Sequence, residues 1–184
     1  YTNQVKGLYS EIVDFISQAQ AGKTPEQTEE LFALRTAGQD IVEVIKAVSH
    51  MQKNLNRYVA APYPAIRRAY YLIRRRLAEV LHTLVQVRDQ ADNSAVLLSL
   101  DALKVDITES YQRLNQAVDR LIQQHQITAE MATSLINDAN YAYSAASKLI
   151  EMGILLFSTS DSSTRSAERS FTLEEDEISE VLSE

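Results

Sequence analysis

The chain has 184 residues, enough for one domain with its own core, and 45% hydrophobic residues, which excludes disorder throughout. Four glycines and three prolines supply too few turns for an all-β fold, and the lack of cysteine excludes disulfides, thiolate metal sites and cysteine nucleophiles. A net charge of −7 argues against general nucleic-acid binding.

The first predicted helix covers roughly residues 2–20, with Val5, Leu8, Tyr9, Ile12, Val13 and Ile16 recurring every three or four residues as one apolar face. Gly22 ends it. Thr24-Pro25-Glu26-Gln27 then has the order of an N-cap, a proline at the first helical position and a capping-box glutamine. The second helix carries Ile41, Val44, Ile45, Val48, Met51, Leu55 and Tyr58 on one stripe and stops before Pro62, with Gly38 as a weak point. Pro62-Tyr63-Pro64 is a turn, and Pro64 opens the third helix, whose core face is Ile66, Tyr70, Ile73, Leu77, Val80, Leu81, Leu84 and Val87.

Asp92-Asn93-Ser94 is expected as a loop holding N-cap candidates. A fourth helix follows through Leu97, Leu100, Leu103, Ile107, Tyr111, Leu114, Val118, Leu121 and Ile122, and Gln124-His125-Gln126 ends it. Thr128 caps a fifth that continues through Met131, Leu135, Ala142, Leu149 and Leu156. Short connections between long helices make neighbours antiparallel, so the expected fold is all-α, an up-and-down bundle of about five helices over residues 1–157. Residues 158–184 read as a flexible Ser-rich linker and an acidic tail, with capping-box spacing at Thr172-Leu173-Glu174-Glu175 and Ile178, Val181 and Leu182 at helical intervals.

Catalytic signals are weak. Glu79-Val80-Leu81-His82 has the Glu-x-x-His step of di-iron carboxylate bundles, but those sites need a second copy, and neither His50 nor His125 supplies one. No ligand spacing supports a zinc site built from the three histidines, no Gly-rich phosphate loop exists, and no serine sits in a nucleophile elbow. No enzyme activity, metal or cofactor is expected. The tyrosines fall on or beside core stripes and read as interhelix packing.

Charge is unevenly spread. From Lys46 to Arg88, two lysines and seven arginines face Glu79 alone, a local sum of +8; from Ser158 to Glu184, two arginines face eight acids, a local sum of −6. Lys46, Lys53, Arg57, Arg67, Arg68, Arg74, Arg75 and Arg76 are the candidate patch for an anionic partner such as lipid headgroups, a phosphate-bearing ligand or an acidic peptide. The longest apolar run, 149–157, is too short to span a bilayer and contains Glu151, and no signal peptide is visible. The chain starts at Tyr1 within a helical pattern and is expected to be a piece of a longer protein.

Four stretches carry a resemblance: Val42 to Tyr58 (VEVIKAVSHMQKNLNRY), Pro64 to Tyr70 (PAIRRAY), Leu100 to Asp106 (LDALKVD), and Ile127 to Asp138 (ITAEMATSLIND) followed by Tyr141-Ala142-Tyr143. Together, over roughly residues 25–157, they resemble the C-terminal cytosolic PhoU-like domain of bacterial sodium/phosphate cotransporters. The resemblance implies a PhoU-like bundle on the cytoplasmic face of the bacterial inner membrane that regulates phosphate uptake. It also implies the transmembrane part of its own transporter as partner; anionic inner-leaflet lipid is a further candidate, and homo-oligomers stay open. Regulators of that family often carry a Glu/Asp-x-x-x-Asp metal motif, and the nearest steps here, Glu43 to Ala47 and Asn140 to Ser144, lack the second aspartate. The later step also lacks the first acid. No metal cluster is carried over, and this departure counts against the alternative, a free-standing PhoU-type phosphate-signalling regulator.

Overall fold

Capping chemistry sets where the helices of the computed structural model begin and end; it describes residues 2–19, 22–89 and 93–157. Five helices follow in order: α1 (Thr2–Ala19), α2 (Pro25–Val59), α3 (Pro64–Arg88), α4 (Asn93–Gln123) and α5 (Ala129–Phe157). Thr24 forms the expected capping box, its Oγ1 accepting from the Gln27 N–H and its own N–H donating to Gln27 Oε1, each at 3.3 Å. Thr128 Oγ1 accepts from the Met131 N–H at 3.2 Å and opens α5 in the same way. The α4–α5 turn is a Schellman motif: the Gln126 N–H reaches the Leu121 carbonyl and the His125 N–H the Ile122 carbonyl, both at 2.9 Å. His125 takes the left-handed position with φ 54°.

α2 to α5 run up and down as a four-helix bundle, with α5 packed against each of the other three. α1 lies outside that bundle, chiefly against α2. The all-α antiparallel reading therefore holds. The core has two main parts. Near the α2–α3 and α4–α5 turns, Met51, Tyr58, Tyr70 and Leu135 are fully buried; toward the other end, Val80, Leu100 and Ile150 are. Leu77 touches both. Each such side chain contributes about 1.5–3 kcal/mol by leaving water.

Several stripe positions differ from expectation. Leu8, Ile12, Ile41, Val48, Leu81 and Ile122 are exposed, Leu8 at 61%. α1 has essentially one neighbour, so only the edge of its apolar face centred on Ile16 is buried. Gly38 does not interrupt α2; the Tyr9 ring rests over it, 3.4 Å from where a Cβ would stand. Asn93 and Ser94, expected in a loop, belong to α4, and Asp92 lies outside the described residues. The expected linker and acidic tail at 158–184 also lie outside them. No helix among the described residues is long and apolar enough to cross a membrane.

Candidate anion-binding site

The eight basic residues of the candidate patch do not share one face. Arg57 reaches across to Glu130 on α5 at 3.1 Å, with its guanidinium 5.2 Å from the centre of the Tyr58 ring. Arg75 donates to Glu79 at 2.8 Å, and Arg76 bridges Glu79 at 2.7 Å and Asp106 on α4 at 2.5 Å. Burial pushes the Glu79 carboxyl up, but hydrogen bonds from both arginines outweigh it and hold the group below its ordinary value of 4.5. Lys46 and Lys53 are exposed on α2. Arg75 and Arg76 thus stitch α3 to itself and to α4.

Arg67, Arg68 and Arg74 behave differently. With Val59, Pro64 and Tyr71 they line a depression of ≈ 370 Å³ at the beginning of α3. All three are exposed, and no ion pair joins them to an acid among the described residues. The i, i+4 and i+7 spacing of Arg67, Tyr71 and Arg74 puts them on one edge of the helix, with Arg68 beside them. The start of α3 adds to the positive field: Tyr63 gives no side-chain cap and the first turn contains no acid, so nothing there offsets the helix dipole. Three guanidiniums without an acidic partner among the described residues, each with five N–H donors in a planar fork, suit the oxygens of a phosphate or carboxylate.

The enzyme-like step is dispersed. Glu79 is engaged by its two arginines, and His82 is exposed. His50 stacks on Tyr141 with centroids 5.1 Å apart. Among the described residues, no group of three or more His, Asp or Glu side chains is placed to hold a metal ion. The tyrosines divide: Tyr58 and Tyr70 are buried and stacked 5.2 Å apart, Tyr111 and Tyr143 stack at 4.8 Å, while Tyr63 and Tyr71 are exposed.

Sequence reasoning missed two features. Lys148 on α5 donates to Asp40 at 3.1 Å and pairs with Glu43 at 2.7 Å, which locks α2 to α5. The second is an apolar groove between α3 and α4, floored by Ala139, Ala142 and Ala146 of α5. Its signal was present as small residues at i, i+3 and i+7, but alanine registers weakly in a stripe of larger apolar residues. No protein-family model, curated protein or solved structure compared with the chain matches it.

Proposed function

We propose that this bundle is a cytosolic regulatory domain of a sodium-dependent phosphate transporter, acting through helix–helix and electrostatic contacts and not through catalysis. The resemblance over residues 25–157 supports the transporter assignment. The observation that carries the electrostatic part is the depression at the start of α3, where Arg67, Arg68 and Arg74 have no acidic partner among the described residues, while Arg57 and Arg75 have one each and Arg76 has two. Unpaired exposed arginines attract the headgroups of the inner leaflet at about 1 kcal/mol per charge near an anionic surface. Bound there, the domain would lie against the membrane part of its transporter.

Vesicle co-sedimentation tests this reading. Anionic phosphatidylglycerol vesicles should bind the protein at low salt and release it near 1 M salt, where the Debye length falls to about 3 Å. The variant Arg67→Glu/Arg68→Glu/Arg74→Glu should bind at least about tenfold more weakly. Equal binding by the variant, or equal binding to neutral phosphatidylcholine vesicles, would remove the lipid role of the patch.

A further inference from the structure

α3 and α4 diverge above α5 and leave a groove of ≈ 290 Å³. Leu72 and Leu77 form one wall, Ile107 and Leu114 the other, and the alanines of α5 keep the floor low. Leu72 is 45% exposed, so apolar surface stays in contact with water here. One arginine stands on each wall, Arg76 on α3 and Arg113 on α4. The shape and composition are those of a trough for an amphipathic helix with an acidic outer face.

We propose that residues 171–184 of the same chain dock in this groove as a helix. At helical spacing, Phe171, Ile178 and Leu182 fall on one narrow stripe at i, i+7 and i+11, flanked by Glu174 and Glu175. The segment contains six acids and no base. Its apolar stripe meets the floor and walls, and the flanking glutamates meet Arg76 and Arg113. Arg113 already holds Glu109, and Arg76 holds both Glu79 and Asp106 through one Nη, but the five N–H donors of each guanidinium leave some for an incoming glutamate.

The tether reaches. α5 ends at Phe157, eleven residues beyond Ala146, about 16 Å along the helix. Thirteen residues, 158–170, separate it from the segment, and a random-coil stretch of that length has an end-to-end distance of about 20 Å. Such a linker gives an effective concentration on the order of millimolar, enough to hold a helix too short to be stable alone. The basic depression on α3 is the competing seat, but its lining offers only Val59, Pro64 and Tyr71 to an apolar stripe, so the groove fits the segment better. This inference does not depend on the transporter reading.

The absence of cysteine makes a direct test simple. Three double variants of the full chain are oxidised under mild copper-phenanthroline conditions: Ser110→Cys/Ser179→Cys across the groove, Tyr63→Cys/Ser179→Cys at the depression, and Gln52→Cys/Ser179→Cys on the exposed side of α2. The groove pair should form an intramolecular disulfide at least about tenfold faster than the other two, at a rate independent of protein concentration. Adding Ile178→Asp should bring it down to the Gln52 rate. Equal rates in all three, a faster Tyr63 pair, disulfides only between chains, or insensitivity to Ile178→Asp would each overturn the proposal.

Discussion

The Tyr70 hydroxyl on α3 donates to the Asp138 carboxylate on α5 at 2.6 Å, and the two residues are 0% and 2% exposed. Burial raises the Asp138 carboxyl above its ordinary value of 3.8, and hydrogen bonds from Tyr70 and Asn54 counter this only in part. A buried carboxylate held by few donors is a cost at neutral pH that the surrounding core must offset.

Tyr70→Phe keeps the ring stacked on Tyr58 and removes the donor. It should destabilise the bundle by about 1–3 kcal/mol, because Asp138 then loses a charge-assisted hydrogen bond without regaining water. The pH dependence follows from the direction of the shift. A raised carboxyl costs stability fully above its folded-state pKa, and the cost fades as pH falls toward and below 3.8. Urea unfolding of wild type and Asp138→Asn at pH 7 and pH 4 should show the difference moving in favour of wild type on acidification. Movement the other way contradicts the assignment.

Lys148 gives a second measurement with the opposite sign. Its hydrogen bonds to Glu43 and Asp40 raise the lysine above 10.5, and the bond from Lys148 holds the Glu43 carboxyl below 4.5. The network therefore contributes fully between about pH 4.5 and 10.5; it fades as Glu43 protonates below that window and as Lys148 deprotonates above it. Lys148→Met should cost about 1–3 kcal/mol, since Asp40 is only 7% exposed and loses its partner. Lys148→Met combined with Asp40→Asn should cost less than the sum of the single changes, read as a coupling energy in a double-mutant cycle.

The α4–α5 turn has a local test. His125 occupies a left-handed backbone position that costs a side chain about 1–2 kcal/mol and glycine nothing. His125→Gly should raise Tm by about 2–4 °C for each kcal/mol recovered. Gly153→Ala should do the reverse despite alanine's better helix propensity. Its Cβ would overlap a methyl of buried Leu84, and overpacking costs about 1–3 kcal/mol. Thermal melts of the two variants decide both.

The fold was largely legible because its punctuation is local. Thr24, the prolines at 62 and 64, Gln124–Gln126 and Thr128 each act on the backbone within a turn of themselves, so helix ends needed no tertiary knowledge. Stripe membership was less legible. Leu8 and Ile41 have core spacing, but whether a second helix covers them depends on where α1 ends up. Burial of Asp138 and the alanine face of α5 escaped for a related reason: a polar residue and a small one carry little periodic signal, and their neighbours are far away in the chain. The arginines divide on the same ground. The short-range pairing of Arg75 with Glu79 is written in i, i+4 spacing, whereas Asp106 meets Arg76 only once α3 and α4 pack.

The most direct measurement of the central claim is sodium-dependent phosphate uptake in cells carrying Arg67→Glu/Arg68→Glu/Arg74→Glu in the native gene. With protein levels matched, uptake should differ from wild type while the melting temperature of the isolated bundle stays nearly unchanged, since these exposed side chains sit outside the core. Uptake equal to wild type, from a variant that has lost its binding to anionic vesicles, would contradict it.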